Sequence, residues 1–268
     1  MGDLGDDRPV PHGDEDLSGE RDQFANVEVD SDKVRASGLV KDEIGLDDPD
    51  EPGTFSTTLL REAVRDTLEF ERRWHAYCET ENEPAVLPVL VVQVPDKVTD
   101  LGLAETLAVI ESEWSGLSPD AVAHVFGEHE PLIVGSRKVR WVPPESIQHD
   151  SDIRVVLAKT AISTGWDCPR AEVLYSERPA KDATHIAQII GRMVRTPLAR
   201  RITTDDALNS VSCYLPLFDR GALSAIKTEL EGKGTSRDDL EVGPEVTRAP
   251  KVFDRNPTMD PEVFEAIE

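Results

Sequence analysis

Several things are scarce in this chain of 268 residues, and each scarcity removes a class of protein. Cysteine occurs three times, at Cys78, Cys168 and Cys213. That odd, scattered set excludes a disulfide scaffold and fits a reducing cytoplasm. No apolar run approaches the roughly 20 residues that cross a bilayer, and no basic-then-apolar signal pattern opens the chain. A cytoplasmic protein with no membrane partner is therefore expected. Histidine and cysteine never fall in the paired spacings of a metal site. His124 and His129 flank Glu128, and His75 and Cys78 form a pair, but neither group has a companion, so no metal ligand is expected. There is no G-x-S-x-G turn for a hydrolase nucleophile and no G-x-G-x-x-G fingerprint for a dinucleotide. The phosphate-binding loop G-x-x-x-x-G-K-[ST] is missing too. Its nearest approach, Gly232-Lys-Gly-Thr235, has Lys227 where the first glycine belongs. Asp14-Glu-Asp-Leu17 follows Pro-Val-Pro-His-Gly rather than a hydrophobic strand, so it is not an acidic box for magnesium.

Positive charge is also short. Against 53 acidic residues stand 29 basic ones, a net charge of -24. Nine of the basic residues are Lys and 20 are Arg. This is an unusual balance for a partner of nucleic acid, where Lys and Arg supply the phosphate contacts. Either the acid occupies tails and solvent faces around a local basic strip, or the protein is adapted to concentrated salt, which screens self-repulsion. Apolar residues make up 38%, enough for a core, although aromatics reach only 5%.

Residues 1–25 are rich in Asp, Gly and Pro with few apolar positions, and read as an acidic disordered tail. Residues 26–84 hold a connecting segment and a long helix, Thr57 to Glu81, with Leu59, Leu60, Ala63, Val64, Leu68, Trp74 and Tyr77 as its apolar stripe. Residues 85–232 alternate strands and helices. Strands are expected at 87–94, near 121–126, at 153–157, at 172–176 and near 212–217, and helices near 104–114 and at 220–231. That alternation predicts an α/β fold with a mostly parallel sheet and helices on both faces, flanked by acidic flexible tails. Residues 233–268 are polar and Pro-rich and read as a tail or linker.

Two sites in the middle of the chain carry chemistry. The strand 153–157 runs into Thr160-Ala-Ile-Ser-Thr-Gly-Trp-Asp167. Loops past the carboxyl ends of parallel strands form ligand crevices. Ser163, Thr164 and the backbone N–H groups can donate to phosphate oxygens, Gly165 permits close approach, and Asp167 can accept from a ribose hydroxyl or hold a neighbouring loop. The plain alternative is a polar turn with Trp166 packed in the core. About twenty residues on, 182–195 has helical spacing, with Ile186, Ile189, Ile190, Met193 and Val194 apolar. Arg192 and Arg195, three apart, are predicted to leave the same helical face, with Gln188 one turn before. Gly191 marks a place where something packs closely or the backbone needs room. Two guanidiniums aimed one way suit a phosphate, although a basic stripe on an amphipathic helix is the ordinary reading of an isolated R-x-x-R.

Together these sites resemble motifs V and VI of superfamily 2 helicases and translocases. Ser163-Thr-Gly-Trp-Asp-Cys-Pro169 is similar to motif V, and Gln188-Ile-Ile-Gly-Arg-Met-Val-Arg195 to motif VI. The match is closest to the group holding the Res (ATPase) subunits of type III restriction enzymes and related DEAD/DEAH-box proteins. Val34-Arg-Ala-Ser-Gly-Leu-Val-Lys41 resembles their passage between the two motor lobes, and Leu87-Pro-Val-Leu-Val-Val-Gln-Val-Pro95 their motif IV.

The resemblance implies a second RecA-like lobe and a partial ATP-dependent helicase/ATPase, inactive as an isolated chain because the first lobe is absent. It implies ATP as cofactor, with Mg2+ ligands on that first lobe, joined in cis or in trans. Arg195, with Arg192 beside it, would be the finger that reaches ATP. Gln188 and Gly191 would help place the nucleotide, and Gly165 and Asp167 would couple it to nucleic acid, DNA by the restriction-enzyme analogy. Ser163 and Thr164 would contact the strand, with Arg137 and Lys138, beside Arg140 and Trp141, as a further basic-aromatic patch, and Arg200 and Arg201 following motif VI. Nuclease or methyltransferase subunits are further candidate partners. A non-catalytic nucleic-acid-binding or regulatory module left from a truncated helicase is the alternative, and an unrelated α/β ligand-binding domain is a third reading.

The charge balance makes the first prediction. If the surface is adapted to salt, molar KCl raises the midpoint of thermal unfolding relative to dilute buffer, by screening the net charge of -24. An unchanged midpoint refutes salt adaptation.

Overall fold

A computed structural model describes residues 33, 37–48, 56–159, 166–218, 220–230 and 244–248. Its nine strands are β1 (Glu43–Asp47), β2 (Val89–Gln93), β3 (Val122–His124), β4 (Leu132–Val134), β5 (Arg137–Trp141), β6 (Val155–Ala158), β7 (Ala171–Ser176), β8 (Ser210–Tyr214) and β9 (Glu245–Arg248). They form one sheet in the order β4-β5-β3-β6-β2-β7-β8-β1-β9. Every pairing is parallel except β4 with β5. The mostly parallel α/β sheet expected from the sequence is therefore present.

Strand alternation explains why both faces need covering. In β2, Val89 and Val91 enter one core while Leu90 and Val92 enter the other. In β6, Val156 and Ala158 are divided in the same way from Val155 and Leu157. A central strand with two apolar faces is stable only between two layers. Helices α1 (Ser56–Glu81) and α2 (Asp100–Glu113) cover one face, burying Leu59, Leu60, Ala63, Val64, Phe70 and Trp74 with Leu103, Leu107 and Ile110. Helices α3 (Ala183–Met193) and α4 (Arg220–Leu230) cover the other through Ile186, Ile189, Ile190 and Met193 with Leu223 and Ile226. Helix α2 starts four residues before the expected Ala104, because the Thr99 side chain accepts from the Gly102 N–H and caps it there. All three cysteines are free and buried, and no described helix is long and apolar enough to cross a membrane.

The sheet is wider than the sequence pattern suggested. At one edge, β4 and β5 form a hairpin around Gly135-Ser136, with Gly135 at φ 61°. At the other edge, β1 lies between β8 and β9. Strand β9 falls within the stretch read as a polar tail, and Lys227 on α4 donates to the carbonyl of Val246 at 3.1 Å. Helix α3 also ends earlier than expected. Met193 closes it, and Arg195 lies beyond, in an extended antiparallel bridge with Val40. Pro197 disfavours the helical conformation for Thr196, and the Val194 carbonyl is taken by the Lys41 N–H at 2.7 Å. Arg192 and Arg195 therefore do not share a helical face.

One buried polar cluster holds the segment entering the sheet. Lys41 Nζ meets Glu172 Oε1 at 2.6 Å with both side chains fully buried, and donates to the Ser210 carbonyl at 3.0 Å. Trp74 Nε1 on α1 donates to the other Glu172 oxygen at 2.6 Å. Burial pushes the Lys41 pKa down and the Glu172 pKa up, each opposed by attraction to the other.

Removing one member of such a pair strands the other charge in the interior. Lys41→Met should destabilise the chain by about 3–5 kcal/mol at neutral pH. Without its cation, Glu172 has a pKa raised further by burial, so its folded form prefers the proton. The deficit relative to wild type should then shrink as pH falls through that raised value and be largest in alkaline buffer. Urea unfolding of both proteins across pH checks this, and a pH-independent deficit would count against it.

Candidate functional site

The described end of the first sequence site, Trp166 and Asp167, meets the second on the α3 face of the sheet. The loop between β6 and β7 leaves the carboxyl end of β6 and must return to the amino end of β7. Its described end, Trp166 to Arg170, is thus at the opposite edge from its start. Trp166 is fully buried in the core beneath α3. Cys168 is buried beside it, and desolvation raises its thiol pKa to about 12, so it is an inert packing group rather than a nucleophile. Arg170, missed by the sequence reading, is buried and donates to the carbonyls of Leu87, Ile147, Asp150 and Ile153 at 2.5–3.0 Å. Five guanidinium N–H groups suit such a carbonyl cluster. Only its position directly after the Cys-Pro pair could have hinted at this role.

Helix α3 runs back along the sheet and delivers its last turn to this loop end. Arg192, half-buried, donates from Nη1 to the Trp166 carbonyl at 3.0 Å. Arg195 donates from Nη1 to Asp167 Oδ2 at 2.6 Å, with 63% and 50% of the two side chains exposed. Gln188 and Gly191 are exposed on the same helix. Among the described residues Gly191 does not answer to close packing: a Cβ built there meets nothing within 4 Å, and its φ is ordinary for a helix.

The connecting segment fixes where Arg195 sits. Lys41 N–H donates to Val194 O at 2.7 Å and Thr196 N–H to Leu39 O at 3.3 Å, on either side of the Val40–Arg195 bridge. The Thr196 hydroxyl donates to the Gly38 carbonyl. Gly38 has φ 68°, and a Cβ there would fall 1.7 Å from the Arg201 nitrogen. Only glycine fits against that backbone. The Gly in Ala-Ser-Gly-Leu-Val-Lys is thus a contact residue, a role visible only once 38 and 201 are adjacent.

The other candidates fall out unevenly. Ser163, Thr164 and Gly165 lie outside the described residues. Arg137 pairs with Glu111 and Arg140 with Asp150 at 2.8 Å, while Lys138 is exposed. Arg137 begins β5, so this group lies at the amino edge, away from the start of the 160–165 loop. Arg200 donates to Glu83 at 2.6 Å and Arg201 to Asp42 at 2.6 Å. Among the described residues no three His, Cys, Asp or Glu side chains are placed to hold a metal ion.

The arrangement suits an anion better than a cation. An exposed ion pair such as Arg195–Asp167 is worth no more than about 1 kcal/mol, so a phosphate, with more charge and three acceptor oxygens, can displace the carboxylate. Arg192 is committed to a backbone carbonyl and acts more as a strut between helix and loop.

No protein-family model matches the sequence, and no curated protein matches it. Solved structures do align with it. Dbp5 from S. cerevisiae bound to RNA and ADP BeF3 aligns at 15% identity and a TM-score of 0.39, covering 84% of this chain and 44% of that one. A Dbp5 variant bound to Gle1 and IP6 gives 14% and 0.40 over the same shares. Mss116p DEAD-box helicase domain 2 bound to an RNA duplex gives 12% and 0.38, covering 84% of this chain and 73% of that one. This chain thus spans less than half of the Dbp5 chains. Likeness at this level transfers no chemistry.

If Gly38 sets the position of Arg195, Gly38→Ala should loosen the bridge without dismantling the sheet. Amide hydrogen exchange over 39–41 and 194–196 should accelerate about tenfold or more, while β2, β6 and β7 keep their protection. Unchanged exchange at these two segments would refute the contact's importance.

Proposed function

We propose that this chain is the second motor lobe of an ATP-dependent nucleic-acid helicase or translocase, of the kind found in type III restriction Res subunits. The meeting of Arg195 with Asp167, 28 residues apart in sequence, carries the reading. It joins the two segments that resemble motifs V and VI, with the guanidinium exposed. In this reading a first RecA-like lobe, in cis or in trans, supplies the phosphate-binding loop and the Mg2+ ligands, and bound ATP supplies the phosphoryl group that is transferred to water.

Arg195 exchanges Asp167 for the phosphate oxygens when the lobes close, and stabilises the charge that develops there. Arg192 keeps helix α3 and the Trp166 carbonyl together during that exchange. Gln188, one turn earlier on the exposed face, orients the nucleotide. Release of Asp167 removes a tether from the loop that carries Ser163 and Thr164, so the nucleotide state reaches the strand-binding residues through competition for one guanidinium. The strand is gripped by its backbone, with little sequence preference, and DNA is the proposed substrate. Gly191 leaves room for the first lobe.

Two substitutions test this in the chain joined to, or mixed with, a first lobe. Arg195→Ala should lower kcat for nucleic-acid-stimulated ATP hydrolysis by about 10³ or more, while the isolated chain hydrolyses none. Gly191→Ala should split stability from activity. As a helical glycine with open surroundings, its replacement should stabilise the isolated chain by up to about 1 kcal/mol yet reduce turnover of the joined lobes. Wild-type turnover in Arg195→Ala would sink the proposal.

A further inference from the structure

The carboxyl edge of the sheet carries an aromatic group that the motor reading leaves unused. Strands β5, β3 and β6 are neighbours and parallel. The residues leaving their carboxyl ends therefore share one edge. Trp141 ends β5, residues 125–130 leave β3, and Lys159 follows β6. Lys159 is the last described residue before 160–165, where Ser163 and Thr164 lie.

The loop after β3 is held by its own polar groups. His124 is fully buried, and its Nδ1 accepts the Phe126 N–H at 3.2 Å. Its Nε2 must then bear the proton, donated to the Glu130 carbonyl at 2.9 Å. Burial keeps this imidazole's pKa below its usual value, so the neutral form persists. The Phe126 carbonyl accepts from Trp141 Nε1 at 3.1 Å and from the His129 N–H at 3.3 Å. Lys159 Nζ sits 4.5 Å from the centre of the Phe126 ring.

Within this frame His129 takes a left-handed backbone, φ 57°, uncommon for a residue with a side chain. Its ring thereby lies 4.6 Å from that of Trp141, with 34° between their planes. His129 is exposed and Trp141 partly so. The other tryptophans, Trp74, Trp114 and Trp166, are all buried. A surface indole and imidazole are thus held face to face at a tilt by this loop instead of packing into the core.

We propose that the His129–Trp141 pair is a stacking platform for a base of single-stranded nucleic acid, with Lys159 meeting the backbone beside it. This rests on the motor-lobe reading and adds where the strand lies on the lobe. Every base has a flat face, so the platform is tolerant of sequence. Exposed Glu128, 3.9 Å from Lys159, and exposed Glu130 keep the local charge from being strongly positive. At this patch stacking adds to the backbone grip made elsewhere on the lobe, and the patch's own contribution to the salt dependence is small, about one phosphate. Arg137 and Lys138, at the far end of β5, are not part of the platform.

The test titrates the full chain with end-labelled oligo(dT) and, separately, oligo(U), reading label anisotropy and tryptophan fluorescence together. The part of the fluorescence change that is lost in Trp141→Phe reports Trp141. The expected result is a rise in anisotropy with a parallel fluorescence change, and the stronger arm identifies DNA or RNA. His129→Gly removes the imidazole but suits the left-handed backbone. It should bind at least about fivefold more weakly with its thermal midpoint unchanged. Trp141→Phe should lose most of the fluorescence change yet keep most of the binding. A rise in anisotropy without a fluorescence change that Trp141→Phe removes, or wild-type affinity in His129→Gly, overturns the platform and leaves a nucleic-acid partner standing. No anisotropy change with either oligomer overturns the platform and the nucleic-acid reading together.

Discussion

Lys41 enters the interior from the segment leading into β1, and its ammonium reaches Glu172 with neither side chain exposed. A charge in that position cannot be left alone, because losing a partner there costs several kcal/mol. The pair therefore ties the entering segment to β7, and Trp74 brings α1 to the same carboxylate. Lys41 also gives its backbone N–H to Val194, so the residue after α3 is referenced to that strand as well. Because Glu172 lies just past Arg170, the end of the β6–β7 loop shares the frame. Connecting segment, loop end and arginine are thus positioned against one stretch of one strand.

A second ion pair at the same separation behaves differently. Arg195 and Asp167 also meet at 2.6 Å, but both are largely exposed. Distance alone does not decide what such a pair does; desolvation does. The buried pair has no competitor, since water and ligands cannot reach it, and it serves as an anchor. Water already competes for the exposed pair, and a phosphate can replace the carboxylate at little cost. Under the proposed function, a backbone held at 194–196 by its bridge to 39–41, with an exposed side-chain contact, suits a group that must be in place before its ligand arrives.

Much of this was legible in the chain. The apolar runs within 87–94 and 153–157 announced buried strands, and the stripe from Leu59 to Tyr77 announced a covering helix. The Gln188-to-Arg195 and Ser163-to-Pro169 patterns pointed to each other, and Asp167 does meet Arg195. The end of α3 was not legible. Spacing continued the helix to Arg195, but a bridge to Val40, more than 150 residues earlier, took over. The strand β5 was hidden because Arg137, Lys138 and Arg140 read as a basic patch. Its arginines turned out to face Glu111 and Asp150, acids from elsewhere in the chain.

The sequence by itself determined the class of fold, the two helix layers and the residue types at the candidate site, since these follow from local periodicity and from side-chain chemistry. Tertiary structure alone decided which charges are neutralised, which glycine is obligatory and which arginine keeps an exposed ion pair. Those properties depend on burial and on neighbours far away in the chain. Gly38 looks like any loop glycine until Arg201 lies against it, and Trp141 like one member of a basic patch until His129 lies over it.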